Sequence, residues 1–577
     1  MSSSTDLVDR LRAIVGRRNV LTSPRQTSAF LSGYRVGGGP AAAVVRPGSL
    51  VELWRVVLAC IAADHIVIAQ AANTGLTGGS TPFGEYDRPT VVINTLRISA
   101  IIPVRNGEQV VCLAGATLHQ LERVLEPHGR EPHSVIGSSC LGASVVGGVC
   151  NSSGGALVSR GPAYTEYALF AQADADGAVQ LRNNLGIELG EDPETVLARL
   201  DRGEIPESTI RDPRSASARD YERVVRDVNA SSPARFNADP ARLYEASGCA
   251  GKLIVFAVRL DTFAREDRPV TFYIGTNEPS ALSRLRRKML SECAVLPISA
   301  EYVHGEAFDM AARYGKDIAI ALRLLGTPRL PRLFALKARV DHLAKRLRLL
   351  PANLSDRVLQ IVSRIFPDQL PARLRQFRQR FDHHLILKIS AVGEREVRAI
   401  VDEVFEQAGD WFECSPDEAE AAFRHRFAVA GAAVRYAALH RDKVEELIAL
   451  DVALRRDDDA WHEALPPEMA GAVVSSAYYG HFFCHVFHRD YLVRKGQDVS
   501  AIKNTLMTAL DNRGAKCPAE HNVGHLYPAE PDLAAHYRKL DPGNRLNPGI
   551  GMTSRLFGWR PAPADVTAAL SEPEERL

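Results

Sequence analysis

The side chains of this chain that could move protons or hold a charged substrate gather toward its C-terminus. Histidines recur in Gly480-His-Phe-Phe-Cys-His-Val-Phe-His488 and in Glu520-His-Asn-Val-Gly-His525. Arginines recur in Phe423-Arg-His-Arg-Phe-Ala-Val-Ala-Gly-Ala-Ala-Val-Arg-Tyr436. An imidazole, with an unperturbed pKa of about 6.5, is largely neutral near neutral pH and can take a proton. A guanidinium presents a planar fork that pairs both oxygens of a carboxylate. Each also has a plainer reading: a His beside a Glu is more often a hydrogen-bonded structural pair, and an Arg on an amphipathic helix more often lies at the surface.

The first half of the chain offers backbone instead of side chains. In Ile66-Val-Ile-Ala-Gln-Ala-Ala-Asn-Thr-Gly-Leu-Thr-Gly-Gly-Ser80 a β-branched strand runs into small residues. Gly75, Gly78 and Gly79 lack a Cβ, so peptide N–H groups there can approach an anion. The loop differs from the dinucleotide fingerprint whose glycines open a helix directly, because Pro82, Gly84 and a further strand at Val91 to Ile93 follow. A second small-residue run spans Val135 to Gly155, and a third, Ser247-Gly-Cys-Ala-Gly-Lys252, leads into a strand-like segment ending at Val258. Three such segments suit an extended ligand in a groove, such as a dinucleotide, better than a single phosphate.

The order Ala43-Val-Val-Arg-Pro-Gly-Ser-Leu-Val-Glu-Leu53, then the Ala-Asn-Thr-Gly-Leu-Thr-Gly-Gly-Ser loop, then Gly137-Ser-Ser-Cys140 resembles the FAD domain of the vanillyl-alcohol oxidase superfamily. Within it the chain is most similar to the bacterial quinone-dependent D-lactate dehydrogenases, over nearly its whole length. The resemblance implies that FAD is held by Ala71, Ala72, Asn73, Thr74, Gly75, Gly79 and Ser80 around the pyrophosphate. It further implies Gly137, Ser144 and Gly154 in the second segment, and Val255 or Phe256 by backbone contact. Members that bond the flavin covalently often carry a histidine in the first loop; none stands here, so noncovalent FAD is expected.

The same resemblance implies roles in the C-terminal third. His521 corresponds to the histidine of the family's Glu-His-Gly segment and would be the base as hydride leaves C2 for flavin N5. Arg426, with Arg435 second, would anchor the substrate carboxylate. His481, His488 and Glu520 correspond to a divalent-metal site with open positions, as catalytic zinc sites have, and a metal there would ease loss of the hydroxyl proton. The chain departs from the family by carrying Phe483-Cys-His-Val486 where many relatives have a glycine-rich turn, with His485 a third candidate ligand. On a regular strand a seven-residue separation places two side chains on opposite faces, so the two histidines require a bend. The alternative is a His-rich strand that orients substrate by hydrogen bonds alone.

The elements that position these residues should be α+β. At 577 residues the chain exceeds a single core. The expectation is a two-part FAD-binding domain of the vanillyl-alcohol oxidase type at 1–268 and a cap (substrate) domain at 269–515. A C-terminal segment at 516–577 carries active-site residues, and its Leu540-Asp-Pro-Gly-Asn-Arg-Leu-Asn-Pro-Gly549 turn returns to the FAD domain. Strands at Val270 to Thr276, Leu296 to Val303, His384 to Ser390 and Asp410 to Cys414, with helices at Ser280 to Cys293 and Glu394 to Gln407, predict a ferredoxin-like antiparallel sheet covered by helices on one face.

Between these units, at 320–382, lies a basic insertion. From Arg323 to Arg380 fourteen Arg or Lys stand against three Asp, an excess of eleven in a chain whose net charge is +1. Leucines and phenylalanines are interleaved with them, and prolines at 328, 331, 351, 367 and 371 cut the run into short helices. Such helices suit the interface of an anionic bilayer, and the resemblance implies a membrane-binding segment here. A solvated basic subdomain is the bland alternative. No stacking pattern or motif points to nucleic acid. Nine scattered cysteines without a CxxC pair predict neither disulfides nor a Cys-type zinc site. An acidic N-terminus without an apolar region predicts no signal peptide, so the chain is expected on the cytoplasmic side of the inner membrane, bound peripherally.

The reading is FAD-dependent oxidation of D-lactate to pyruvate with electrons passed to a quinone. One rival is a soluble D-2-hydroxyglutarate-type dehydrogenase with another acceptor. The other is a flavin-free membrane-binding protein on an inactivated scaffold.

Overall fold

The computed structural model describes residues 4–133, 142–318, 320, 354–365, 370–462, 465–466, 469 and 471–561. Gly137 and most of the basic insertion lie outside the described residues.

The first half contains two sheets. One has strands β1 (Val20–Leu21), β2 (Ala43–Val45), β3 (Ile66–Gln70) and β4 (Thr90–Asn94) in the order β1-β2-β4-β3. Strands β2, β4 and β3 are mutually parallel, and their Val and Ile side chains are buried on both faces. Helix α1 (Leu50–Ala62) connects β2 to β3 and buries Leu50, Leu53, Val57 and Ile61. Its start is specified locally: the Ser49 hydroxyl accepts from the Glu52 N–H, an N-cap contributing about 1 kcal/mol. The second sheet has β5 (Ile101–Val104), β6 (Gln109–Leu113), β8 (Ala168–Ala173), β9 (Val179–Asn183) and β10 (Ile254–Asp261) in the antiparallel order β5-β6-β10-β8-β9. A short ribbon pairs β7 (Arg130–Glu131) with β11 (Phe263–Ala264). Between β7 and β8 lies the six-residue helix α2 (Val145–Cys150), capped by the Ser144 hydroxyl, which accepts from the Gly147 N–H.

The second half is one seven-stranded antiparallel sheet. Its strands are β12 (Val270–Thr276), β13 (Ser299–His304), β14 (His383–Ile389), β15 (Gly409–Glu413), β16 (Val444–Ala453), β17 (Val473–His481) and β18 (Val486–Arg494). Their order is β15-β12-β14-β13-β17-β18-β16. Helices α3 (Pro279–Glu292), α4 (Gly305–Tyr314), α5 (Leu354–Ile365), α6 (Ala372–Arg380), α7 (Glu394–Phe405) and α8 (Pro416–Leu439) accompany them. The first four strands with α3 and α7 form the ferredoxin-like unit, and the β17–β18 hairpin and β16 extend it past β13.

Helices cover both faces of this sheet, not one as expected. Helices α3 and α7 pack Leu285, Met289 and Val401 onto Phe272, Ile274 and Leu387, while α8 packs Ala421 and Ala422 near Tyr273 and Ile386 on the opposite side. The reason is visible in β12 and β14, whose side chains are apolar at successive positions instead of alternating with polar ones. Helix α6 falls within the span expected as the basic insertion. In α6, Leu374 and Phe377 are buried in the cap core, and its basic residues are paired at home: Arg373 with Glu418, Arg378 with Asp309 and Asp382, Arg380 with Asp410.

The C-terminal turn lies against the first sheet. The Val67 N–H donates to the Arg545 carbonyl and the Asn547 N–H to the Val67 carbonyl, adding a bridge beside β3. Lys252, buried and 3.8 Å from buried Asp541, donates to Asn544 and to the Leu546 carbonyl, tying the third small-residue segment to this turn.

Candidate active site

A single cavity of about 1500 Å3 separates the two halves. One wall is backbone. Leaving β3, the chain takes Asn73 at φ 53° and Gly78 at φ 74°, the left-handed conformations that fold successive peptides into a nest. Among the described residues no protein group accepts from the N–H groups of Ala72 to Leu76. A Cβ placed on Gly75 would touch no protein atom, so the protein's own packing does not explain that glycine. Free donors around open space at the end of a parallel strand are what a dinucleotide pyrophosphate requires.

Ala71, Ala72, Asn73, Thr74, Gly75, Gly79 and Ser80 all line this cavity, as do Ser144, Gly154 and Val255. Phe256 does not: the register between β10 and β8 shifts there, and its ring is buried toward Trp54 in the core of the other face. Gly154 has a second constraint. A Cβ at this position would lie 2.4 Å from Glu520 Oε1, and Glu520 is held by Arg235 and His481 and has nowhere to go. Gly154→Ala is therefore expected to lower thermal stability by about 1–3 kcal/mol, the usual cost of overpacking, and kcat/KM at least tenfold. Melting curves and steady-state rates check both, and parental values would show that Glu520 can move.

The other wall is built by the register of the cap sheet. Glu301 on β13 faces His481 on β17, Tyr479 faces His488 on β18, and His488 faces Asp451 on β16. Directly opposed residues share a face, as do residues two apart on one strand, so all five side chains emerge on the α8 side. The bend required of the two histidines is the hairpin itself. β17 ends at His481, Phe482, Phe483 and Cys484 are buried in the turn, His485 takes φ 52°, and β18 begins at Val486. The rings of His481 and His488 come 5.5 Å apart. His485 is not in this group, since its Nδ1 contacts the Arg455 carbonyl. His525 is also elsewhere, stacked on Phe83.

The segment after the cap is pinned along β16. Lys516 and Ala453 exchange backbone hydrogen bonds, the Ala519 N–H donates to the Asp451 carbonyl, and the Glu520 N–H donates to the Asp451 carboxylate at 2.6 Å. This sets Glu520 3.2 Å from His481 Nε2 and 2.6 Å from Arg235. His521, half-buried, lies 3.7 Å from Asp451 and stacks near His488. Arg426 enters from α8 with its Nε 2.8 Å from Glu301 and its guanidinium over the Tyr479 ring. Arg435 also borders the cavity, but Asp317, Asp356 and the Tyr314 carbonyl hold its guanidinium. That fork is engaged on both sides, whereas Arg426 has an ion pair with Glu301 at its Nε.

Burial works against every charge here, and the pairing decides which survive. Burial opposes a positive His481, yet Glu301 and Glu520 hold its pKa up at about 10. Burial would raise both acids, yet His481 with Arg426 keeps Glu301 below the usual carboxylate range, and His481 with Arg235 keeps Glu520 well below it. Burial, Arg426 and His481 together push His488 well below its ordinary value, which leaves it neutral. Asp451 is raised by burial, with His521 pulling the other way. Tyr479 donates to Asp490, whose carboxyl burial raises to about 6.

Donor atoms of His481, His488 and Glu520 lie within 4.8 Å of one another. Two imidazoles and one carboxylate fit a catalytic zinc-like ion, and the Glu301 contact at His481 Nδ1 is the carboxylate partner that orients a ligating histidine. Sequence reading missed Glu301, Asp451 and Arg235. The first two were signalled by an acid between apolar neighbours, Ala300-Glu301-Tyr302 and Leu450-Asp451-Val452; nothing local marks Arg235.

Together the parallel and antiparallel sheets, the backbone cradle and the polar cap define an FAD-binding oxidoreductase of the vanillyl-alcohol oxidase type. Its fold is similar to that of a solved alkyldihydroxyacetonephosphate synthase, with a TM-score of 0.58 at 13% identity, covering 94% of this chain and 84% of that one. The family described as FAD binding domain matches residues 41–175, and that described as D-lactate dehydrogenase, membrane binding, matches residues 271–559. The quinone-dependent D-lactate dehydrogenase of Haemophilus influenzae is 54% identical over 561 residues, covering 96% of this chain and 100% of the relative. That of Escherichia coli is 51% identical over 556 residues, covering 96% and 97%. The chain belongs to the quinone-dependent D-lactate dehydrogenase family.

Proposed function

We propose that His521, Arg426 and the His481, His488 and Glu520 group carry out the family's reaction in this chain, oxidation of D-lactate to pyruvate with quinone as acceptor. The observation that carries this reading is the convergence of all five side chains on one wall of a cavity whose opposite wall is the FAD cradle. FAD, when bound, supplies the acceptor for the two electrons and the hydrogen that leave substrate C2.

The protein's own residues do the rest. Arg426, its Nε already paired with Glu301, turns its remaining N–H groups to the lactate carboxylate. His521 takes the hydroxyl proton, with the Asp451 carboxyl 3.7 Å away. A divalent ion held by His481, His488 and Glu520 would make the hydroxyl more acidic. The backbone donors of Ala72 to Gly75 hold the pyrophosphate, and the binding is noncovalent, since the loop has no histidine.

No helix among the described residues is long and apolar enough to cross a membrane, and the membrane-binding family region accords with a peripheral membrane protein. The finer placement we propose is an anionic bilayer surface on the cytoplasmic side of the inner membrane, favoured by the basic stretch from Arg323 to Arg364, where ten Arg or Lys stand against two Asp.

The test is to add D-lactate, and separately L-lactate, to the purified holoprotein without oxygen while following the visible flavin band. Bleaching by D-lactate alone is expected. A yellow protein that neither isomer bleaches would retain the cradle and discard the substrate.

A further inference from the structure

The cavity does not end at the polar wall. It runs on as one space between α5 and α8, where its lining is largely apolar: Leu354, Val358, Leu359 and Val362 from α5, Phe427 and Val434 from α8, with Ser355 and the mutually paired Asp356, Asp317 and Arg435 beside them. Three of these residues line the cavity and are open to solvent at the same time. Val358 is 48% exposed, Val362 38% and Val434 43%. A residue that is both lining and exposed marks a mouth, and Val358 and Val362, one helical turn apart, place that mouth along one edge of α5.

The edge is held in position. Arg435 of α8 pairs with Asp356 of α5 and with Asp317, and the Gln360 side-chain amide donates to the Arg313 carbonyl of α4. These contacts tie α5 to α4 and α8, and they leave Val358 and Val362 at the cavity and its opening. In sequence, α5 directly follows the basic stretch that contains Lys345, Arg346 and Arg348.

Lactate is a small anion that gains nothing from aliphatic walls. A quinone is an apolar ring on an isoprenoid tail, and burying its surface against such walls is favourable. We propose that the valine-rimmed chamber between α5 and α8 is the quinone site, through which an isoprenoid quinone enters from the lipid to reach the reduced cofactor. This rests on the reading of the chain as a D-lactate oxidiser with a quinone acceptor. The balance closes: lactate loses two electrons and two protons in becoming pyruvate. Those two protons pass to water, the hydroxyl proton by way of His521; the quinone gains the two electrons, and two O–H bonds form at its carbonyl oxygens with two protons taken back from water.

The experiment uses the detergent-solubilised holoenzyme, so that membrane attachment plays no part, and ubiquinone-1 as probe. Val362→Trp and Val434→Trp fill the mouth. The expected result is at least a tenfold fall in kcat/KM for ubiquinone-1, with unchanged anaerobic bleaching by D-lactate and unchanged reduction of a hydrophilic dye. Should either variant lose flavin, Val358→Ser replaces it, with a raised KM for ubiquinone-1 expected. Binding is read separately by photolabelling with an azido-quinone: the label falls on 354–365 or on Pro416–Leu439, and excess ubiquinone-1 suppresses it. Parental ubiquinone-1 kinetics in the blocked variants, or label elsewhere, overturns the site. Failure of D-lactate to bleach the parent protein strikes at the oxidation reading instead.

Discussion

His521→Ala will lower kcat for D-lactate on the order of a thousandfold, the usual range for loss of a positioned general base, while KM stays within a few-fold of the parent. The side chain is half exposed and its removal opens no core cavity, so flavin content and melting temperature should hold. Neither neighbour can substitute. His488 lies behind it, opposite Asp451 in the sheet, and His525 is stacked on Phe83. Stopped-flow bleaching isolates the step, because it reads the oxidation of lactate before any acceptor is involved. Partial recovery on adding free imidazole would identify the missing function as proton transfer. A loss below tenfold would remove His521 from the chemistry and leave the metal-site residues to account for it.

Arg426→Met will act on binding. Charge-assisted pairing to a carboxylate is worth about 1.5–3 kcal/mol, so KM for D-lactate should rise between roughly tenfold and somewhat over a hundredfold. Methionine keeps most of the side-chain volume against Tyr479, and Glu301 retains His481 as a partner, which limits the structural cost. Arg426→Lys keeps the charge but not the fork and should fall between the two. The same substitution at Arg435 should leave KM unmoved, since that guanidinium serves Asp317 and Asp356. An unchanged KM in Arg426→Met would place the anchor elsewhere on the cavity lining, which also includes Arg35 and Lys503.

Much of the fold was legible because it depends on local patterns. The apolar runs at Val270 to Thr276 and at His384 to Ser390 became strands within a residue or so of the expected ends, and the helices beginning near Ser280 and at Glu394 followed. The small-residue loops were legible for the same reason, since a strand that gives way to glycines has few ways to continue. Coverage on both faces was missed because an uninterrupted apolar strand and a helix as alanine-rich as α8 carry little directional signal.

By itself the sequence determined the cradle, the order of the two halves and which residue types could take a proton or pair with a carboxylate, because these follow from backbone freedom, periodicity and side-chain chemistry over short stretches. The tertiary structure decided which of those residues act together. Glu301, Asp451 and His481 are joined by strand register, Arg235 reaches Glu520 from 285 positions away, and Arg435 is held by Asp317 and Asp356. Pairings of that kind are set by how strands and helices dock, and a one-residue change of register would send each of these side chains to the opposite face.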